Sequence, residues 1–246
     1  MPDLNPNRSK FALIICAAGS SSRMGGIKKE YCLLPGTDST VLGAAFSAFS
    51  AFSCISKIVI TVPLNGEAEA RHALKLPSAG TPVSAGSLPD FISGGKTRHE
   101  SVYKALLSLA ADDPDYVLIH DGCRPWISTR LIQRIIEEVV LHQAVIPVLP
   151  MADTPKQVDV SYKNDLSAKR TITRHLRRDF LGLAQTPQAF AFPELLIAYE
   201  KANNRTGDDL LYEYTDDAEV WGEFCGSVAV VPGEPANRKI TFPGDL

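Results

Sequence analysis

Apolar and polar positions alternate in blocks along the first 150 residues, and the blocks predict a regular succession of strands and helices. Phe11 to Ala17 is a continuous apolar run, the pattern of a strand buried on both faces. Thr40 to Phe52 is small and apolar with helical spacing, with Ala44, Ala45, Ala48 and Phe49 as inward positions and Thr40 as N-cap. Lys57 to Val62 is β-branched and stops at Pro63. Glu67 to Leu76 reads as a short helix, Pro77 to Leu88 as a loop and Phe91 to Ser93 as a short strand. His99 to Ala110 places Val102, Ala105, Leu106 and Leu109 on one helical face. Tyr116 to Ile119 is the next strand, Thr129 to Leu141 a helix capped by Ser128, and Ala144 to Leu149 another strand. Strand–helix alternation of this kind implies a mostly parallel sheet with right-handed crossovers.

The rhythm breaks at Met151. Residues 151–178 are polar and irregular, and carry Lys156, Lys163, Lys169, Arg170, Arg174, Arg177 and Arg178. A stretch this long with so little core potential projects from its domain, either as a β-arm that packs on a partner subunit or as a solvated hairpin. Beyond it, Pro193 to Asn203 reads as a helix with proline in its first turn. Thr215-Asp216-Asp217-Ala218-Glu219 reads as a helix start capped by Thr215. Val228 to Val231 and Arg238 to Phe242 read as terminal strands. The whole is expected to be one domain, 1–246, with 151–178 as an arm.

Composition narrows the function classes. A net charge of -3 over 246 residues gives no global attraction to nucleic acid or to an anionic membrane, so any phosphate site must be a local concentration of cations. No apolar run reaches the ~20 residues of a membrane helix. The five cysteines form no CxxC pair, which argues against metal-thiolate and disulfide frameworks and for reduced thiols in a cytoplasm. Met1 to Lys10 is polar and lacks the apolar core of a signal peptide.

In an open α/β sheet ligands bind at the carboxyl ends of strands, and four suggestive clusters fall there. After the first strand comes Ala17-Ala18-Gly19-Ser20-Ser21-Ser22-Arg23, then Lys28-Lys29-Glu30-Tyr31. Small residues let main-chain N–H groups approach an anion, and Arg23 and Lys29 can neutralise it; the plain alternative is a flexible connector with incidental cations. The loop lacks the third glycine of a dinucleotide fingerprint and the Gly-Lys-Ser/Thr of a Walker loop. Gly94 to Ser101 is the second cluster: Ser101 can read a base edge beside Gly95, or can be an ordinary helix serine. In His120 to Pro125, Asp121 suits either a Mg²⁺ that keeps waters and triphosphate oxygens or a turn cap. Arg124 suits a phosphate clamp or a salt bridge, and His120 is expected to be a packed core histidine rather than a base. Asp216 and Asp217 serve either the helix dipole or a ligand. The fourth cluster is Asn237 to Thr241.

The ordered set Ala-Ala-Gly-Ser-Ser-Ser-Arg-Met, Lys-Glu-Tyr, Gly-Gly-x-x-Arg-x-x-Ser-Val, His-Asp-x-x-Arg-Pro, Asp-Thr-x-Lys, Thr-Pro-Gln-x-Phe, Thr-Asp-Asp-Ala and Asn-x-Lys-Ile-Thr resembles the 2-C-methyl-D-erythritol 4-phosphate cytidylyltransferase family. The resemblance spans Ala17 to Leu246 and implies a Rossmann-like α/β fold. It also implies transfer of a cytidylyl group from CTP to 2-C-methyl-D-erythritol 4-phosphate, with release of pyrophosphate, in non-mevalonate isoprenoid precursor synthesis. By position it assigns Arg23, Lys29 and Lys239 to the α-phosphate and Ser20, Ser21 and Ser22, with Gly19, to the β and γ groups. Ala17, Ala18, Gly95 and Ser101 would surround the cytosine, and Asp121 would hold Mg²⁺ or another divalent cation. Arg124, Thr154, Lys156, Arg178, Thr186 and Thr215 would bind the second substrate, with Arg177 an alternative to Arg178. Arm residues reaching a neighbour's site would make a homodimer. Where the family usually has proline, Lys28 stands, which is expected to loosen the loop; Glu30 replaces a frequent glutamine. Gly122 and Cys123 replace two alanines, and Ala236 removes an acid that in some members assists the metal. A sister enzyme for ribitol 5-phosphate, or a catalytically silent nucleotide-binding module, are the competing readings.

Overall fold

The computed structural model describes residues 9–21, 24–76, 88–160, 167, 169–205 and 212–246. Its central element is β1 (Phe11–Cys16), buried throughout except at the half-buried Cys16. β1 pairs in parallel on one side with β2 (Ile55–Val62) and on the other with β4 (Tyr116–Asp121). A strand enclosed in this way has no solvent face, hence its unbroken apolar sequence. β3 (Asp90–Ser93) extends the sheet beyond β2, again in parallel.

On the other flank the expected parallel pattern becomes mixed. β9 (Gln188–Ala191) runs antiparallel between β4 and β5 (Ala144–Pro150), and β8 (Gly182–Ala184) pairs antiparallel with the far end of β5. β10 (Ala229–Pro232) closes this edge, parallel to β5. The described sheet of eight strands thus has the order β10-β5-β9-β4-β1-β2-β3, with β8 beside β5.

The helices cover the sheet. α1 (Val41–Phe49) is capped by Thr40, whose side chain accepts from Gly43 N at 2.9 Å. α2 (Glu67–Ala73) is shorter than its sequence suggests and is followed by Lys75 at φ +54. α3 (Arg98–Leu109) buries Val102, Ala105, Leu106 and Leu109. α4 (Thr129–His142) buries Leu131, Ile132, Ile135, Ile136, Val139 and Val140, an i, i+3, i+4 stripe, and Ser128 caps it at 3.0 Å. α5 (Phe192–Asn203) packs on α3 and on α6 (Asp217–Phe224), while α1 packs on α4.

Two expected features are corrected. Asp216, not Thr215, caps α6: its carboxylate accepts from Glu219 N at 3.0 Å, because the helix begins one residue later than the threonine would require. Residues 238–242 form no strand. Ile240 N makes a single ladder-like bond to Cys123 O at 2.9 Å, and the Asp245 carboxylate takes the N–H groups of Thr241 and Phe242 at 2.7 and 2.8 Å. In the arm, β6 (Lys156–Val158) and β7 (Ile172–His175) pair antiparallel as a separate small sheet. The loop expected at 77–88 lies almost wholly outside the described residues. No helix among the described residues is long and apolar enough to cross a membrane.

Candidate functional site

The carboxyl ends of β1, β2, β3 and β4 open onto one cleft of about 540 Å³. The loop after β1 is pinned at its root, where Ala17 N donates to Thr61 O at 3.0 Å; Ala17 is buried under the cleft while Ala18, Gly19, Ser20 and Ser21 line it. The chain returns through a 3-10 turn, Lys29–Tyr31, which brings Lys29 and Glu30 to the wall. Lys29 is nearly buried, and its N–H points at Ser21 Oγ at 3.4 Å. Ser22 and Arg23, both expected at the phosphates, lie outside the described residues.

The turn between β3 and α3 meets this loop closely. A Cβ at Gly94 would stand 2.3 Å from Ala18 Cβ and 2.8 Å from Ser101 Oγ, so only glycine allows the two backbones to approach. Ser101 Oγ accepts from Gly95 N at 2.9 Å and donates to Thr97 O at 2.8 Å. Its hydroxyl therefore shapes the turn.

Asp121, at the end of β4, is the electrostatic centre. Lys239 Nζ lies 3.0 Å and Arg124 Nε 3.3 Å from Oδ2, and Arg98 Nε lies 3.4 Å from Oδ1. Burial alone would raise its pKa, but Lys239, Arg98 and Arg124 together hold the carboxyl well below the usual carboxylate value. Asp121 in turn raises the pKa of Lys239 against the opposing effect of burial. Arg98 is itself fixed from behind: its fork donates to Asp217 at 2.9 and 2.8 Å, and Tyr199 OH donates to the same fully buried carboxylate at 2.6 Å. Gln188 Oε1 receives Asp217 N and Ala218 N at 3.1 and 3.0 Å, tying the start of α6 to β9.

His120 is a packed core residue, as expected. Its ring lies 3.1 Å from Arg124 O and 3.0 Å from Thr186 Oγ1, and burial pushes its pKa down to about 4. Arg124 and Thr186 sit behind Asp121 and do not line the cleft. Arg124 donates to Asn237 O at 2.9 Å and Thr186 Oγ1 accepts from Asp121 N at 3.0 Å, so both support the carboxylate from within the fold. Thr154, Lys156 and Arg178 are exposed on the arm, away from this cleft. Arg178 donates to Ala152 O at 2.8 Å, whereas Arg177 lies over the Phe180 ring at 4.7 Å. Thr215 bonds Glu219 at the start of α6 and is also outside the cleft lining.

Residues without a role in the sequence reading also line the cleft, among them Cys16, Thr61, Lys96, Arg98, Cys123, Glu213 and Thr241. Arg98 stood in the Gly-Gly-x-x-Arg motif, but its partner Asp217 is 119 residues away, a pairing no local pattern reveals. Lys29, Lys96, Arg98 and Lys239 line the cleft together with Glu30, Asp121 and Glu213, a mixture suited to a polyanion with hydroxyls. Among the described residues no three His, Cys, Asp or Glu side chains cluster to cage a metal. A single carboxylate beside cations does fit a Mg²⁺ that takes its remaining ligands from water and substrate phosphates.

The sequence profile described as IspD, 2-C-methyl-D-erythritol 4-phosphate cytidylyltransferase, matches residues 11–246. The chain belongs to this family. A bifunctional enzyme IspD/IspF of Nitrobacter hamburgensis is 37% identical over 243 residues, which is 98% of this chain and 54% of that protein. The chain spans about half the length of the curated relatives it matches. The crystal structure of 4-diphosphocytidyl-2C-methyl-D-erythritol synthase from Anaerococcus prevotii superposes with TM-score 0.76 at 27% identity, covering 96% of this chain and 92% of that one. The 2-C-methyl-D-erythritol 4-phosphate cytidylyltransferase of Francisella tularensis gives TM-score 0.73 at 27% identity, covering 96% of each chain.

Against the usual IspD pattern, the departures have physical readings. Lys28 has φ -69°, the value a proline would impose, and its ammonium reaches Gly19 O at 2.5 Å and Glu30 Oε2 at 3.2 Å. Gly122 sits where a Cβ would come within 3.0 Å of Cys16 O and 3.2 Å of Leu42, so this variant relieves a tight contact. Ala236 is exposed and brings no second carboxylate, and the nearby Glu234 is engaged by Arg130 at 3.1 Å.

Proposed function

We propose that this chain transfers the cytidylyl group of CTP to 2-C-methyl-D-erythritol 4-phosphate and releases pyrophosphate, a step of non-mevalonate isoprenoid precursor synthesis. The observation that carries the reading is the convergence of Lys29, Lys239 and Asp121 on one cleft beside the small-residue loop. An oxygen of the polyol phosphate attacks the α-phosphorus in line, the bond to the β-phosphate oxygen breaks, and pyrophosphate leaves with the bonding pair. Charge grows on the equatorial oxygens and on the leaving group, so positioned cations do most of the work. Lys29 and Arg23 serve the α-phosphate together with Lys239, and Gly19 to Ser22 offer N–H and hydroxyl donors to the outer phosphates. Ala18 and Gly95, with Ala17 and Ser101 beneath, form a close-packed seat for the cytosine. Asp121 would hold a divalent cation, which when bound supplies further neutralisation of the triphosphate. With the nucleotide in place, Lys239 and Arg98 exchange part of their hold on Asp121 for phosphate oxygens.

The second substrate's phosphate is assigned to the arm of a partner subunit. Thr154, Lys156 and Arg178 stand away from their own cleft, and the same region exposes Ile172, Phe180, Leu181 and Leu183, apolar surface that a homodimer would cover. The functional unit is then one domain whose arm completes a neighbour's site. A cytoplasmic location belongs to the same proposal, since CTP is available there and the five cysteines are free thiols. The test is pyrophosphate release from CTP and Mg²⁺ with a panel of polyol phosphates. Release with methylerythritol phosphate alone supports the proposal; release with ribitol phosphate, or CTP binding without turnover, refutes it.

A further inference from the structure

Three side chains, one main-chain carbonyl and one main-chain N–H tie the two flanks of the phosphate loop together. Glu30 is 3% exposed, yet its carboxylate borders the cleft. Its Oε2 receives the Lys28 ammonium at 3.2 Å and the Ser21 hydroxyl at 3.3 Å. Lys28 Nζ also donates to Gly19 O at 2.5 Å, and Ser21 Oγ accepts from Lys29 N at 3.4 Å. The circuit joins residues 19–21 to residues 28–30 and holds Ser21 at φ +51, a left-handed conformation that a serine adopts at some cost.

The charge matters as much as the tie. A buried carboxylate on the wall of a triphosphate site repels the incoming ligand, and little solvent is present to screen it. We infer that Lys28 is a positioning residue that acts through Glu30: it cancels this carboxylate and clamps the Gly19 carbonyl, so that the loop presents its donors to the nucleotide without a net negative wall. The inference rests on the CTP reading above. Proline at 28 would reproduce the backbone angle, since Lys28 already has φ -69°, but would leave Glu30 without its cation. Positions 28 and 30 therefore form a matched pair, lysine with glutamate, for which proline with glutamine is the neutral equivalent.

Calorimetric titration with CTP and Mg²⁺ on the full chain tests this, with melting of the nucleotide-free protein alongside. Lys28→Pro should weaken CTP binding about tenfold or more, the cost of an uncompensated buried charge. Lys28→Gln, which keeps a donor for Gly19 O but not the charge, should weaken it to a similar degree. Glu30→Gln should bind at least as tightly as wild type, and Lys28→Pro/Glu30→Gln should return to within about threefold of it. The melting temperature should show the same rescue without nucleotide, which tests the clasp even if wild type failed to bind CTP; that failure would instead refute the functional reading. A double variant as weak as Lys28→Pro, or a Lys28→Gln protein that binds like wild type, overturns the inference.

Discussion

The end of β4 and the arm are both rich in charge, but they use it in opposite ways. At the end of β4 every ionic side chain is answered by a partner of the same fold: Asp121 by three cations, and Arg98 by a fully buried Asp217 that Tyr199 also grips. On the arm, Lys156, Arg174, Arg177 and Arg178 are exposed, and Arg178 bonds a main-chain carbonyl. Exposed charges of this kind contribute little to stability. The contrast teaches that the floor is organised by the chain's own ion pairs, whereas the arm's cations add little to the fold.

The sharpest way to break the contrast is to remove the centre of the floor. Asp121→Ala should lower pyrophosphate release at least ~1,000-fold, and Lys29→Ala at least ~100-fold, as expected when charges aimed at a transition state are lost. Near-normal release in either variant would remove that residue from the mechanism. Arg98→Lys comes next: it keeps the charge but loses the fork that Asp217 fixes, and should cost about 10- to 100-fold in turnover together with a lower melting temperature. If it turned over like wild type, the organisation of the floor would be incidental.

On the arm the expected effects are smaller and of another kind. Arg178→Ala should raise the KM for the polyol phosphate about tenfold and leave the melting temperature unchanged, because it removes binding rather than support. Arg177→Ala, which disturbs only a contact with Phe180, should change KM less; the reverse order would make Arg177 the substrate ligand. The smallest effect is one of pH and separates the regions by stability. His120 has a folded pKa near 4 against 6.5 ordinarily, so the unfolded chain binds the proton first. Its contribution is complete above 6.5 and is lost as pH falls toward 4, on the order of 2 kcal/mol between pH 7 and pH 5. His99, whose pKa burial also lowers, acts in the same direction. Asp121 loses its contribution only below its unfolded value of 3.8. Denaturant melts at pH 7 and 5 measure the slope; a flat profile would mean that His120 is hydrated in the native state.

Much of this was legible along the chain. β1, β2 and β4 were visible because strands enclosed on both faces are continuous apolar runs, and Thr40 and Ser128 marked helix starts by a local hydroxyl–amide bond. β8 and β9 were not, because Gln185, Thr186 and Gln188 are buried polar residues whose partners lie elsewhere, Glu234 and Asn237 in one case and Asp216 in another. The segment 238–242 looked like a strand because Ile240 is apolar, but that side chain fills a small cluster with Leu34, Val41 and Cys123 while Asp245 takes the amides. At the site, the loop and Asp121 announced themselves by position after strands. The fixing of Arg98 by Asp217 did not, since it exists only once α3 and α6 are packed against a common neighbour.

The arm leaves the sheet after β5 and returns as β8, and the ladder between Val148–Pro150 and Gly182–Ala184 closes beneath it. An excursion whose two roots are already zipped together is modular. It can be lengthened, trimmed or exchanged for another without asking any strand to re-register, so the arm can change while the strand ends that line the cleft keep their places.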